Sequence, residues 1–599
     1  MKEIAEGGWF DISEREMIRF LEKIYGTLSE NSKLCAVFTS LFLKAGHVCL
    51  PVDKSPKEWA EILELDQAVI KQLPEEPFLP GVLSQSAIVG ELAEQKPFVL
   101  EGSCLQFHRY RSYEDMLVRW MDQRNRGVVP EFSKERAGKI IAELFPGQSE
   151  EIDWQKTAAV LSLIRPFLII SGGPGTGKTT TVARILALHQ KLAGRKLNIA
   201  LAAPTGKAAG RMGEALQKEL DKMNLSEEEK GALPKEAKTV HRLLSATRQR
   251  GLLPPAEKKL LRHDLIIVDE ASMIDLNLMH RLVSHLSDKT RLILLGDRDQ
   301  LASVEAGAVF ADLCQKEDNR FSSETLRYLE EMTNESAIPL LEDSGLNDSI
   351  VYLTKSYRFT KESGIGRLAA AVKAQDCDRS TLEELFDQYD DLEYHAFSYS
   401  SENVKSIVSR LIEQVKHVSK ISDPHKLLQY WKQMIWLVVL RRGLEGADHL
   451  NQMAEQVIAL SRTVRMEEGW YHGRPVMITQ NDYNLGVFNG DMGVCVKDPA
   501  GNHYVYIESG SELKRIQAKR LTHFTPAYFL TVHKSQGSEF NRINLLLPQR
   551  ETPILTRELI YTAITRARES FALYGDLDRF ISGIRKKTQR FSGLGKKIG

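Results

Sequence analysis

The fold turns on "FLIISGGPGTGKTTT", Phe167 to Thr181, an apolar run that flows into a glycine-rich loop, a lysine and three threonines. Gly172, Gly177, Lys178 and Thr179 fit G-x-x-x-x-G-K-[ST] between a predicted strand and a predicted helix, the context in which that pattern is a phosphate-binding loop. Glycines let backbone N–H groups turn inward, and the helix N-terminus adds partial positive charge. The expected nucleotide cradle is Gly172, Gly173, Pro174, Gly175, Thr176, Gly177, Lys178, Thr179 and Thr180, with Lys178 on the β and γ oxygens and Thr179 on magnesium. ATP and Mg2+ are therefore the expected cofactors.

A loop of this kind needs an acid at the end of a neighbouring strand, and "LIIVDEAS" supplies two. Asp269 is expected to hold magnesium through water and Glu270 to orient and deprotonate the attacking water. Adjacent carboxylates ending an apolar strand are costly unless a cation compensates, which weighs against a plain surface turn. Hydrolysis is favoured over phosphoryl transfer to a hydroxyl.

Around this centre, "FLII", "NIALAA", "DLIIVDE" and "RLILLGD" read as parallel strands of an α/β sheet buried on both faces. A second α/β segment is expected from about Ile350 to the end, with strands at "VYLTKSY", "AYFLTV", "RINLLLP" and "SFALYGD". Short alternating runs with turns at Asn489-Gly490 and Pro499 to Asn502 predict a small antiparallel barrel inserted in it. Residues 1 to about 120 carry helical signals. In "DKSPKEWAEILEL", Ser55 caps, Pro56 fits the first turn, and Trp59, Ile62 and Leu63 share a face.

Composition bounds the rest. A chain of 599 residues suggests roughly three to five domains. With 80 basic and 80 acidic residues the net charge is zero, so any surface for a polyanion must be local. The six cysteines (Cys35, Cys49, Cys104, Cys314, Cys377 and Cys495) contain no C-x-x-C pair and are expected to be free thiols rather than zinc ligands or disulfides. No signal-peptide pattern opens the chain, and runs such as "MIWLVVL" are far short of the roughly 20 residues that cross a bilayer. A cytoplasmic protein without a membrane is the expectation. The tail from Arg579 carries seven basic residues and no acid, and reads as a solvated end.

Further motifs bear on what the nucleotide drives. Gln155 of "DWQKTAAV" precedes the loop strand, where an amide can pair with adenine. Asp297 and Gln300 of "LLGDRDQLASV" end another strand, and Gln300 is placed to sense the γ-phosphate. "KSYRF" offers Arg358 and "YTAITRAR" offers Arg566, each far along the chain. A γ-phosphate bridged by arginines from a second lobe closes a cleft and releases it after hydrolysis.

The ordered set "SGGPGTGKTTT", "APTGKAAGRM", "VDEASMID", "LGDRDQLASVEAGAV", "KSYRF", "GRPVMITQNDYNLGVFNGDMG", "TVHKSQGSEF" and "LIYTAITRAR" resembles the superfamily 1 DNA helicases, and more narrowly the RecD family, alpha subunits of bacterial exodeoxyribonuclease V. The resemblance covers about Asp153 to the C-terminus, and "AGHVCLP" extends it into the N-terminal module. It implies an α/β fold of two RecA-like P-loop NTPase domains with a helical N-terminal domain and an SH3-like β-barrel insertion. The corresponding boundaries are 1–120 for the partner-docking domain, 121–345 for the first RecA-like domain, and 346–599 for the second, with the insertion at about 475–525.

The implied activity is ATP-driven 5′ to 3′ movement along single-stranded DNA from duplex ends, in a heterotrimer with RecB and RecC that processes broken ends for recombinational repair. By motif, Lys178, Asp269, Glu270, Gln300, Arg358 and Arg566 serve hydrolysis and its coupling. Thr205, Lys207, His241, Asn489, Thr531, His533 and Lys534 line the DNA. Nuclease action falls to a partner, since no compact metal-binding cluster lies outside the ATP site.

Taken singly, several of these residues have plainer readings. His241 also suits a helix start, Lys207 and Lys534 solvated charges, Thr531 a strand end, Asn489 a hairpin turn, and Arg566 a surface ion pair. A stand-alone repair helicase and an ATP-gated scaffold are the alternatives in function. A full hydrolytic set argues against the scaffold.

Overall fold

The computed structural model describes residues 11–78, 80–125, 132–147, 151–245, 260–315, 318–333, 338–341, 346–359, 362–482, 484–509 and 512–598. Two parallel sheets dominate it. The first has six strands in the order Ile350–Leu353, Phe167–Gly172, Arg291–Gly296, Leu265–Val268, Ile199–Ala203, Ala237–Thr239. Leu168 and Ile170 point into one core while Phe167 and Ile169 point into another on the opposite face. Both faces are covered, so successive residues are apolar and the strands read as unbroken runs. Burying each such side chain contributes about 1.5–3 kcal/mol.

The second sheet has five parallel strands in the order Leu392–Ala396, Ala567–Gly575, Phe540–Leu546, Met434–Val438, Phe529–Thr531. Here too alternate residues divide between two cores, Ile435 and Leu437 on one side, Trp436 and Val438 on the other. The run "MIWLVVL", too short for a membrane, is this central strand; among the described residues no helix is long and apolar enough to cross a bilayer.

Three sequence expectations need correction. The strand in "VYLTKSY" belongs to the first sheet, pairing Ile350 with Ile169 and Leu353 with Gly172, so the second sheet begins only at Leu392. Its apolar pattern fits either sheet, and only the crossover decides. The N-terminal module is helical as expected, including Pro56–Ile62 with its Ser55–Glu58 capping box, and adds a four-stranded sheet whose strands of two to four residues are too short to show periodicity.

The free-thiol expectation fails at one pair, because pairing of the Leu50–Pro51 and Cys104–Phe107 strands brings Cys49 within 5.5 Å of Cys104 (Cα to Cα), and the two are disulfide-bonded. The other four cysteines are free and buried. Lastly, the basic tail is no solvated end. Phe591 accepts from the backbone N–H of Val48 (2.8 Å) and Cys49 (3.0 Å), Arg590 donates to the Ala45 carbonyl (2.6 Å), and Gly593 N donates to buried Glu114 (3.0 Å). Leu594 is buried against the first lobe, and burial of these apolar residues among the lysines outweighs solvation of the charges.

The insertion is a five-stranded antiparallel sheet in the order Glu512–Gln517, His503–Ser509, Met492–Lys497, Pro475–Ile478, Phe524–Pro526 around a core of Val476, Ile478, Cys495, Val505 and Ile507. The loop strand, the Asp269 strand and the Asp297 strand all end at one edge of the first sheet, which fixes where ligands meet the fold.

Removing residues 588–599 strips the Ala45–Cys49 segment of its backbone partners. Hydrogen-exchange mass spectrometry is expected to show exchange there faster by on the order of tenfold or more. Unchanged exchange means the tail does not hold that segment.

Candidate functional site

The glycine loop joins the Phe167–Gly172 strand to the helix Lys178–Ala193. Gly175 and Gly177 adopt φ of +79° and +80°, and a Cβ there would lie 2.3 Å from Arg358 Cβ or from Gln155 Nε2. Only glycine allows both the turn and those two close approaches. Lys178 Nζ donates to the carbonyls of Gly172 (2.5 Å) and Gly173 (3.1 Å), which tethers it above its own loop. Gln155 donates to the Thr176 carbonyl (3.1 Å) and accepts from Arg184 (3.2 Å), so the expected adenine-pairing amide braces the loop. Thr180 gives its hydroxyl to Glu219 (2.9 Å). Thr179 lines the cleft beside Lys178.

Asp269 and Glu270 follow the Leu265–Val268 strand onto the cleft floor. Burial and the Glu270 charge push the Asp269 carboxyl up to about 6, against the pull of Lys178. A carboxylate so destabilised, one residue from another and facing a lysine, fits a divalent cation. Glu270 has φ of +53°, a strained conformation for a side-chain-bearing residue that costs on the order of 1–3 kcal/mol. Such strain points the carboxylate into the cleft.

Across the cleft, the second lobe presents Arg566 at the end of the helix Arg557–Thr565. It is buried, donates to the Ser538 carbonyl (3.3 Å) and is bonded to Gln300 Oε1. Gln300 Nε2 in turn donates to buried Asp297 (2.9 Å), whose carboxyl burial raises. Strand end, glutamine and arginine thus form one chain across the two lobes. Arg358 donates to Glu539 (2.8 Å), and its Nη1 and the Nε of Arg566 have no acceptor among the described residues. Unpartnered guanidinium donors aimed at a cleft suit a polyanion.

The cleft has a volume of about 740 Å³ and is lined by Lys178, Thr179, Asp269, Glu270, Gln300, Arg358 and Arg566. Beside it runs a groove of about 1250 Å³ with Lys207, His241, Lys432, Phe488 and Arg568 on its walls. Burial and the charges of Arg211 and Lys432 push Lys207 down to about 8. A cation in that state gains from a phosphate.

Of the other sequence-expected DNA residues, Thr205 and Asn489 are chain neighbours of the groove residues Gly206 and Phe488, and Thr531, His533 and Lys534 sit at the turn after the Phe529–Thr531 strand. Thr205 caps the helix Gly206–Lys222, its hydroxyl accepting from Ala208 N (3.2 Å). Thr531 accepts from Lys534 N (3.3 Å), and Lys534 Nζ reaches Asn489 Oδ1 (2.8 Å), tying the turn after the Phe529–Thr531 strand to the insertion hairpin. His533 is part-buried, and burial together with Arg590 lowers its pKa. Thr531, Lys534 and Asn489 are thus linked to one another beside the groove residue Phe488.

Sequence reasoning missed Tyr357, Arg211, Glu539 and Arg568. Tyr357 is 62% exposed over the cleft with its ring 3.7 Å from the position of a Cβ on Gly177. All four lie inside motifs already quoted, yet nothing in linear spacing says which charges meet.

Residues 6–105 match the family model of the RecBCD enzyme subunit RecD, N-terminal domain; residues 155–306 match an AAA domain and residues 526–574 a UvrD-like helicase C-terminal domain. The chain is 34% identical to the RecBCD enzyme subunit RecD of Haemophilus influenzae over 557 residues, covering 87% of this chain and 85% of that protein. It is 34% identical to the RecD subunit of Mycolicibacterium smegmatis over 540 residues, 88% of each. Against the ATP-dependent RecD2 DNA helicase of Deinococcus radiodurans it is 28% identical over 442 residues, 72% of this chain and 50% of that protein.

Because the native Asp269 carboxyl binds its proton more tightly than an unfolded one, its contribution is most favourable at low pH and is lost as pH rises through about 6. Asp269→Asn is expected to stabilise the ligand-free protein near neutral pH by about 1–2 kcal/mol, a Tm gain of about 3 °C that fades toward pH ~4. Calorimetry across pH checks both the sign and the window.

Proposed function

The chain belongs to the RecD family of RecBCD enzyme subunits, and from that membership we propose that it is the ATP-driven DNA motor of such a complex, moving 5′ to 3′ on single strands drawn from duplex ends. RecB and RecC are its partners, nuclease action lies with a partner, and the complex works in the cytoplasm. The observation that carries the reading is the gathering of Lys178, Asp269, Glu270, Gln300, Arg358 and Arg566 on one cleft between two parallel sheets, next to a groove with cations on its walls.

ATP enters with its phosphates over the glycine loop, where inward N–H groups and the helix N-terminus meet them. Lys178 exchanges its two loop carbonyls for β and γ oxygens, a stronger charge-assisted bond. Tyr357 offers the base a ring face, while Gln155 holds the loop in register. Thr179 and Asp269 are the residues that would hold magnesium, which when bound offsets charge between the β and γ phosphates. Glu270 takes the proton of the attacking water. Arg566 approaches from the far lobe and Arg358 from the segment between the lobes, beside the glycine loop, and both stabilise charge on the transferred group.

Closure follows from the same contacts. Gln300 is bonded at once to Asp297 of the first lobe and to Arg566 of the second, so a γ-phosphate that draws in Arg566 pulls on both. Hydrolysis removes that anion and lets the lobes part. In the groove, Lys207 and Arg568 meet phosphate and His241 and Phe488 offer ring faces, contacts that every DNA sequence can satisfy. A stand-alone helicase is the weaker reading: the chain spans 85% of the Haemophilus RecD subunit and 88% of the Mycolicibacterium one, against 50% of RecD2.

Lys178→Gln is expected to abolish unwinding with the fold intact, and Arg566→Ala to slow turnover by on the order of a thousandfold or more. Steady-state ATP hydrolysis with and without oligo(dT), and unwinding of duplexes bearing a 5′ or a 3′ overhang, measure these. Near-normal turnover in Arg566→Ala removes the role assigned to Arg566, and preference for the 3′ overhang reverses the direction. Affinity for single strands is expected to fall with salt at a slope of roughly 0.7 per neutralised phosphate, and a flat response rejects the groove.

A further inference from the structure

Glu539 stands in the partition between the nucleotide cleft and the groove, just before the strand Phe540–Leu546, with its side chain 13% exposed. Three guanidiniums converge on it. Arg358 Nη2 lies 2.8 Å from Oε1, while Arg211 Nη2 (3.1 Å) and Arg568 Nη2 (2.7 Å) and Nε (2.9 Å) share Oε2. They come from three places: Arg211 from the helix Gly206–Lys222 of the first lobe, Arg358 from the segment between the lobes, Arg568 from the strand Ala567–Gly575 of the second. Arg211 also donates to the Gly537 carbonyl (2.7 Å).

The two cavities share this cluster. Arg358 lines the cleft, Arg568 lines the groove, and Arg211 and Glu539 line both. One carboxylate with about four acceptor sites is therefore saturated by four donors, and three positive charges compete for one negative. Burial alone raises the Glu539 carboxyl, but Arg211, Arg358 and Arg568 overcome it and hold the group well below the usual carboxylate range. Glu539 stays ionised, so it responds to a change of partner rather than to a proton.

We propose that Glu539 couples the two sites by competition: phosphate in the cleft and phosphate in the groove each draw an arginine from the same carboxylate, so each ligand weakens the other's hold. A γ-phosphate that takes Arg358 leaves Glu539 to Arg211 and Arg568 alone, and Arg568 is then held more tightly and offered less to DNA. DNA that takes Arg568 has the converse effect on Arg358. Such coupling is reciprocal by thermodynamic necessity. Since the Arg568 side chain is 54% exposed, its size belongs at the lower end of the usual range, on the order of fivefold. In a motor this antagonism loosens the grip on the strand once in each nucleotide cycle. Glu539 is a positioning residue, acting through the arginines, and the inference rests on the functional reading above.

The test uses the full-length chain, fluorescent oligo(dT) and a non-hydrolysable ATP analogue with magnesium. Oligonucleotide affinity is measured by anisotropy with and without saturating analogue in the wild type, Glu539→Gln and Arg568→Gln. In the wild type the analogue is expected to weaken oligonucleotide binding by on the order of fivefold. Glu539→Gln should bind oligonucleotide more tightly than the wild type without analogue and show no analogue effect. Arg568→Gln, altered at an exposed side chain, should lose the analogue effect while binding oligonucleotide less tightly, and it decides the matter if Glu539→Gln does not fold. An analogue effect that persists unchanged in the folded variants overturns the inference, as does an absent or opposite effect in the wild type. A wild type that binds neither ligand overturns the functional reading along with it.

Discussion

Arg566 is a guanidinium buried in the gap between two sheets, and burial lowers its pKa. Such a charge is tolerable only while oxygens surround it, and those oxygens come from both lobes: Gln300 from the first and Ser538 from the second. Asp269, Asp297 and Glu539 are carboxylates in the same predicament. Arg566 and Glu539 are each balanced in part by groups of the first lobe, Gln300 and Arg211. The relative position of the lobes is therefore an electrostatic variable that a phosphate can reset. The chain's overall neutrality, 80 basic against 80 acidic residues, hides this local arrangement.

The backbone is arranged to keep those charges aimed. Positive φ at Gly175 and Gly177 lets Arg358 and Gln155 lie against the loop, and the left-handed Glu270 turns a catalytic-type carboxylate away from the strand that carries it. The Glu270 conformation costs free energy, and it persists because the Leu265–Val268 strand that leads into it is buried on both faces. A rigid sheet thus holds a strained end.

Other contacts limit how far the lobes can part. Leu301 N donates to Thr562 (3.0 Å), Gln536 to the Leu301 carbonyl (3.1 Å), and Lys373 pairs with Asp299 at 2.8 Å. The tail adds a strap, leaving the second lobe after Arg585 and packing Phe591 and Leu594 against the N-terminal module and the first lobe. Arg211 and Glu539 stand between the two cavities, lining both.

Linear sequence determined the chemistry of the nucleotide site. A loop and its two acids are each encoded by residues within a few positions of one strand end, and backbone geometry carries such local patterns directly into space. The central strands were equally legible, because burial on both faces leaves an uninterrupted apolar run. Tertiary structure alone decided which sheet takes Ile350–Leu353, that Cys49 meets Cys104, that the basic tail is a packed strap, and that Lys207 and His241 share one groove while Lys534 reaches across to Asn489. It also decided that Arg211, Arg358 and Arg568, which lie 147 and 210 residues apart in succession, close on one carboxylate. The physical reason is common to all of these: pairing across long chain separations is set by crossovers and by competition among charges for few partners, and no periodicity or spacing records the winner.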